Sequence, residues 1–335
     1  MTQPARSAPR ISIVVPARDE AGRIGRALGR IFAAVRSRCE IVVVVDSASD
    51  PTWEEVQARA VTEPRLRCVV GAYGPGPANA IRYGIDQARA GVVVVTMADN
   101  SDDPRQVDEL AALVERGAAV AAASRYARGG GQIGGPIVKG LLSRLAGRSL
   151  QLLAWPGTSD ATNSFKAYST SFVREVGIDS RQGFAIGIEL TAKARRLRRQ
   201  VAEVPTIWLD RQDGRSGFRV LAWMPSYLRW YLFCFGRALT ADEIAARCSR
   251  RGRAAGSPVA GRPVPLASSA VPVAGSAVPV AGSAVPVAGS AVPVTERPSP
   301  VVRVPAQAPA TDWATWHVIA ANGPLAGARE SRGAA

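Results

Sequence analysis

The chain has 335 residues, 47% of them hydrophobic, and a formal net charge of +15 from 42 Lys and Arg against 27 Asp and Glu. That length and apolar content suffice for one sizeable α/β domain with additions, and the charge balance points to anionic partners: nucleotide diphosphates, lipid phosphates, a membrane surface or nucleic acid. The four cysteines, Cys39, Cys68, Cys234 and Cys248, form no C-x-x-C pair, which speaks against a zinc site or a disulfide framework and fits a reducing cytoplasm.

Residues 1–10 are polar without an apolar core and read as a disordered N-terminus, not a signal peptide. Short apolar runs at 11–15, 41–45, 66–70, 92–97 and 118–123 predict buried parallel strands. Between them Ile24, Leu28, Ile31 and Val35, and again Val107, Leu110 and Val114, recur at helical spacing. This alternation predicts a Rossmann-like, mainly parallel sheet with helices on both faces and ligands at the carboxyl ends of its strands.

Beyond Arg125 the spacing predicts helices over 137–154 and 184–198 and a strand over 201–209. The most apolar segment, 221–236, is interrupted by Pro225 and Arg229 and falls short of the roughly 20 residues that span a bilayer. Its Tyr227, Trp230, Tyr231, Phe233 and Phe235, with Arg229 and Arg237, suit either a lipid interface or a helix packed on the core. From Gly256 the chain is rich in Pro, Ala, Gly and Ser, and A-V-P-V-A-G-S repeats from Ala270, Ala277 and Ala284. A proline in every unit forbids helix, so 239–335 reads as a low-complexity linker and tail, mostly disordered, with Trp313, Trp316 and His317 near its end.

Four constellations at predicted strand ends carry chemistry. After the first strand, Pro16-Ala17-Arg18-Asp19-Glu20 places a cation and carboxylates at the sheet edge, where Asp19 and Glu20 could equally satisfy a helix dipole. After the second, Asp46 can accept hydrogen bonds from a base or ribose, while Ser49 and Asp50 suit a helix cap. After the third, Gly74-Pro75-Gly76-Pro77-Ala78-Asn79 allows close backbone approach to phosphate or sugar; Asn79 breaks the dinucleotide pattern G-x-G-x-x-G. After the fourth, Asp99, Asp102 and Asp103 stand within five residues; such hard oxygen donors suit Mg²⁺ or Mn²⁺ on a diphosphate, or an acidic helix start before Pro104.

These segments together, I-S-I-V-V-P-A-R-D-E-A, E-I-V-V-V-V-D-S-A-S-D, G-P-G-P-A-N-A-I-R-Y-G-I and V-V-V-V-T-M-A-D-N-S-D-D-P, resemble a family 2 glycosyltransferase. The downstream half is similar to the polyprenol-phosphate (dolichol-phosphate) mannosyltransferase branch. The similarity rests on Ser124-Arg125-Tyr126 with Gly129-Gly130, on Lys139 and Ser143-Arg144, on Asp160 with Asn163-Ser164-Phe165-Lys166, and on Phe184 with Glu189. It continues in Glu203-Val204-Pro205 and in Arg211, Gly214 and Ser216. Departures are Ala98 and Asn100 at the D-x-D positions with Asp99 between them, Ser47 after the second strand, N-S-F for S-G-F, Gly217 for a lysine, and no membrane helices.

The resemblance implies a GT-A fold over 11–238, with a nucleotide-sugar half at 11–123 and an acceptor half at 124–238. It implies an inverting displacement that moves mannose or glucose from a GDP- or UDP-sugar to a polyprenyl-phosphate lipid, by a cytoplasmic enzyme peripheral at the cytoplasmic face of the membrane. Pro16, Ala17, Arg18, Glu20, Asp46, Gly76 and Asp99 would bind the donor, Asp99 with Asp102 would hold Mg²⁺ or Mn²⁺, and Arg125, Lys139, Arg144, Arg211 and Ser216 would bind the acceptor. Asp99 and Asp160 are the catalytic candidates. The sole histidine, His317, lies in the tail, so a hydroxyl acceptor would need a carboxylate base, Asp160 or Glu189, whereas a phosphate acceptor is already anionic. Two other readings stand beside this one: transfer to a soluble hydroxyl acceptor, and a nucleotide-sugar-binding module without turnover. The run Arg195-Arg196-Leu197-Arg198-Arg199 has no nearby aromatic stacking partners and reads as a solvated helix end, not a nucleic-acid site.

Overall fold

The computed structural model describes residues 8–135, 137–210 and 220–254. Arg211, Ser216, the proline repeats and the Trp313–His317 tail lie outside the described residues, as does the side chain of Lys139. The strands are β1 (Ile11–Pro16), β2 (Cys39–Val45), β3 (Leu66–Val70), β4 (Val92–Val95), β5 (Val120–Ser124), β6 (Gly131–Ile133), β7 (Lys166–Ser169), β8 (Val201–Pro205) and β9 (Ile207–Leu209). The helices are α1 (Ile24–Ala34), α2 (Pro51–Ala60), α3 (Pro77–Asp86), α4 (Val107–Glu115), α5 (Ile137–Leu153), α6 (Thr170–Val176), α7 (Ile186–Arg196), α8 (Val220–Cys234) and α9 (Ala241–Ala254).

Seven strands form the main sheet in the order β3-β2-β1-β4-β7-β5-β8. Every residue of β1, β2 and β4 is buried, as a sheet covered on both faces requires. The pleat divides them between two cores. Ile11, Ile13 and Val15 pack with Ile24, Leu28 and Leu110 on one face. Val14, Val42 and Val44 pack with Ile81, Ile85 and Phe172 on the other. Each such side chain contributes about 1.5–3 kcal/mol on burial, which fixes the register against a one-residue slip.

Two features depart from the sequence reading. β7 inserts antiparallel between β4 and β5. It is short and begins with Lys166, whose fully buried ammonium donates to the backbone carbonyls of Asp160 (3.0 Å), Ala161 (3.2 Å) and Asn163. The predicted strand 201–209 is two strands. β8 pairs with β5, and β9 leaves to pair with β6. The chain turns at Thr206, whose N–H donates to Ser124 O and whose carbonyl accepts from Gly131 N.

A third cluster joins α5, α7, α8 and α9 through Leu150, Ile188, Trp230, Cys234, Leu239 and Ile244. Trp230 is 1% exposed and its indole N–H donates to Ser180 Oγ at 2.9 Å, so the packed alternative holds for that residue of the 221–236 stretch. Ile244 on α9 is 0% exposed, and the packed region therefore runs past residue 238. No helix among the described residues is long and apolar enough to cross a membrane.

Candidate active site at the carboxyl rim

The strand order turns outward in both directions from the β1–β4 pair, which leaves a crevice at their carboxyl ends. Ala17 continues the β1 ladder through its N–H to Val44 O, and with Pro16 it forms a buried floor. Arg18 stands above that floor, 70% exposed, with Nη1 3.9 Å from Asp46 Oδ2. Asp46 Oδ1 accepts the N–H of Gly76 at 3.0 Å. Gly76 has φ +111° and starts α3, a backbone conformation that a side chain would oppose. The structure thus brings Arg18, Asp46 and Gly76 together at the carboxyl rim.

Glu20 is a correction. It is 8% exposed, its Oε2 is 2.9 Å from Arg23 Nε, and its N–H donates to Thr52 Oγ1. It ties the β1–α1 turn to α2 instead of facing the crevice. Asp50 is a helix cap: it accepts from Thr52 N at 2.8 Å and from Asp19 N at 3.0 Å.

Across the crevice, two strand spacings or roughly 10 Å from the β2 end, lies the loop after β4. Asp99 is partly exposed there, and its Oδ1 accepts Ser101 N at 3.1 Å. Asn100 has φ +64°, and Arg30 of α1 holds the turn by donating to the carbonyls of Asn100 (2.8 Å) and Asp102 (3.3 Å). Arg30 gave no sequence signal, since its partners are 70 residues and more away.

Asp102 is a second correction. It is 6% exposed and turned into its own loop, where Oδ2 accepts from Thr96 Oγ1 and Met97 N, each at 3.0 Å. Burial, with the charge of Asp99 adding to it, pushes its carboxyl up to about 7. It braces the loop and does not present a second carboxylate to a cation. Among the described residues no three His, Cys, Asp or Glu side chains converge on a metal position. Asp99 alone still fits Mg²⁺ or Mn²⁺, because such an ion is commonly held by one or two carboxylates, waters and the substrate's own phosphates.

The described residues expected to meet the acceptor, Arg125 and Arg144, stand near the place where β5 stops and β7 begins. β7 is antiparallel, so the loop before it reaches the same rim as Asp99, with Lys166 opposite Val95. Asp160, 0% exposed, grips Arg125: Nε to Oδ2 at 2.6 Å, Nη2 to Oδ1 at 2.8 Å, and Arg125 N to Oδ2 at 3.1 Å. Burial alone would raise the Asp160 pKa. The hydrogen bonds and charge of Arg125 outweigh it and hold the carboxyl below the usual carboxylate range. With Asn163 N and Thr162 Oγ1 also donating to Oδ1, Asp160 has no role as a proton acceptor. That corrects its catalytic assignment: it is a positioning residue for Arg125. Glu189, the other candidate base, is 0% exposed and accepts from Asp179 N, Ser180 N and Lys193 Nζ. Arg144 of α5 is exposed and meets Arg125 over the Tyr126 ring, with guanidinium carbons 5.3 and 5.0 Å from its centroid. Tyr126 was present in the sequence motif without a role; here it gathers the two cations.

Comparison with known proteins shows what the chain is similar to. The sequence pattern described as glycosyl transferase family 2 matches residues 12–177. The undecaprenyl-phosphate mannosyltransferase of Micrococcus luteus is 25% identical over 213 residues, 62% of this chain and 86% of that protein. The dolichol-phosphate mannosyltransferase of Pyrococcus furiosus is 28% identical over 211 residues, again 62% of this chain, which spans 58% of that longer relative. The crystal structure of glucosyl-3-phosphoglycerate synthase from Mycobacterium tuberculosis, in complex with Mn²⁺, UDP and glucosyl-3-phosphoglycerate, superposes with a TM-score of 0.52 at 18% identity. The match covers 70% of this chain and 83% of that one. That likeness establishes the GT-A fold.

Proposed function

We propose, on the premise that residues 12–177 form a glycosyl transferase family 2 domain, that this chain moves mannose or glucose from a GDP- or UDP-sugar to a polyprenyl phosphate. The work is done at the cytoplasmic face of a membrane, by a peripheral protein. One observation favours this acceptor: the two carboxylates that the sequence offers as candidate bases for a hydroxyl acceptor, Asp160 and Glu189, are fully buried and committed to other donors. A phosphate acceptor needs no base, because its oxygen is already anionic.

In this reading Asp46 accepts hydrogen bonds from the nucleoside, and the exposed fork of Arg18 meets the diphosphate. The floor of Pro16 and Ala17 sets how deep the nucleotide sits. Asp99 holds the divalent cation, which when bound supplies Lewis acidity to the leaving diphosphate. Arg125, locked by Asp160 and stacked with Arg144 on Tyr126, presents positive charge to the acceptor phosphate. Lys139, Arg211 and Ser216 belong to the same acceptor end by resemblance. The attacking phosphate oxygen then lies on the face of the anomeric carbon opposite the leaving group, and the configuration inverts.

The test is transfer by the full chain from UDP- and GDP-sugars to a short polyprenyl phosphate, with and without Mn²⁺. The expected result is cation-dependent product, with Asp99→Ala slowing turnover by about 100-fold or more while the melting temperature stays unchanged. Donor binding without turnover, or transfer to hydroxyl acceptors alone, overturns the reading.

A further inference from the structure

Among the described residues, α5 carries an unpartnered apolar stripe. Leu141, Leu142, Leu145, Leu152 and Leu153 are 56, 47, 55, 73 and 70% exposed, and at about 100° per residue they fall within an arc of about 120°. Beside the stripe, α8 exposes Leu228 and Leu232 and touches α5 through Tyr231 Oη and Ser149 Oγ at 2.9 Å. Neither helix contains an acidic residue.

At the end of the stripe Trp155 stands 74% exposed over a cavity of about 550 Å³, which is lined also by Arg195, Arg198, Arg199 and Arg237. This cavity is not part of the carboxyl rim. It includes Gln200 and Val201, at the amino end of β8 and so at the opposite edge of the sheet. Arg195 is fixed by the carbonyls of Ala154 and Gly236. Arg199 pairs with Glu175 and Arg237 with Glu243. The guanidinium of Arg198 has no partner among the described residues. Four guanidiniums against two carboxylates leave two positive charges. Among the described residues only Asp19, Asn100, Trp155 and Arg198 combine a side chain with positive φ. The first two belong to the carboxyl rim; the other two, at φ +49° and +55°, close the C-termini of α5 and α7, where Trp155 N donates to Leu150 O and Arg199 N to Ala194 O, and so both helices end at this cleft.

We propose that this cleft takes the phosphate of an anionic phospholipid headgroup, with Trp155 and the α5 leucines entering the interface of the bilayer. Trp suits that depth because its ring is apolar and its N–H polar. A polar ligand, free phosphate or nucleic acid, would leave Leu152 and Leu153 exposed. A second copy of this chain, carrying the same +15 charge, would meet the arginines with repulsion. A helix of 17 residues is about 25 Å long, so contact along α5 lays the acceptor rim and the cleft on one surface. The proposal rests on the reading above only for this consequence.

The experiment is sedimentation of the full chain with vesicles of phosphatidylcholine, alone or mixed with phosphatidylglycerol. Asn tolerates the left-handed backbone, so Arg198→Asn and Trp155→Asn remove the side chains without new strain. Strong binding is expected only to the anionic vesicles, weakened about 5-fold by Arg198→Asn and about 10-fold or more when both substitutions are combined. Inorganic phosphate is expected to displace little protein. Melting temperature and transfer to a short, soluble polyprenyl phosphate stay unchanged in the variants. Equal binding to neutral vesicles, wild-type binding by the double variant, or complete displacement by inorganic phosphate overturns the proposal. So does loss of soluble transfer in the variants, which would put the cleft in the reaction itself. A wild-type chain inactive in transfer but selective for anionic vesicles would refute only the glycosyltransferase reading.

Discussion

Asp160 and Arg125 form a buried ion pair whose structural cost can be measured apart from the acceptor role proposed for Arg125. The pair is buried, bidentate and further bonded through Asn163 N, so removing one partner leaves an uncompensated charge. Asp160→Asn is expected to cost about 3 kcal/mol near neutral pH, read by denaturant unfolding. The sign of its pH dependence follows from the depressed carboxyl. The stabilisation is fully present above the unfolded carboxylate value of about 3.9 and is lost as pH falls through the lower folded value. The gap between wild type and variant therefore closes in acid; a gap that widens there would contradict the assignment. Asp99 and Asp102 make the same point in one loop. Asp99 stays partly exposed at the crevice, while Asp102 turns inward to Thr96 and Met97.

At the level of elements, the site depends on how closely α5 approaches the loop before β7. Gly147 makes that approach possible: a Cβ there would lie 2.1 Å from the backbone oxygen of Ser159. Backbone gives way less easily than a side chain, so Gly147→Ala must lift α5. A loss of about 1–3 kcal/mol is expected, together with a rise in KM for the polyprenyl phosphate that exceeds any change for the nucleotide sugar. Gly91→Ala, whose Cβ would meet nothing within 4 Å, is the matched control and leaves both unchanged. If Gly147→Ala lowered stability with no effect on the acceptor, α5 would not belong to the acceptor end. The turn at Thr206 matters in the same way: Leu209 N donates to Ser101 O at 3.2 Å, which ties β9 to the Asp99 loop.

For the molecule as a whole, α9 closes the third core. Leu239 and Ile244 are 6% and 0% exposed, and Leu239 N donates to Arg196 O. A chain ending at residue 238 loses both side chains, worth about 3–5 kcal/mol together. It is expected to melt roughly 5–15 °C below a chain ending at residue 254. Equal melting temperatures would place α9 outside the domain. The sequence alone determined the first five strands, the helices α1 and α4 between them, and the loops that carry Arg18, Asp46, Gly76 and Asp99. Those signals are local, because a buried strand must be an apolar run and the residue that ends it must lie at the rim. Only the tertiary structure decided the antiparallel entry of β7, the division of 201–209, the inward turn of Glu20 and Asp102, and the locking of Asp160 onto Arg125. Each depends on whether a lone pair is taken by a donor elsewhere in the fold or left for a ligand: Arg125 lies 35 residues from Asp160, and Arg30 lies 70 from Asn100. Residue type fixes what a side chain can bind, and the packing around it fixes whether that capacity is still free.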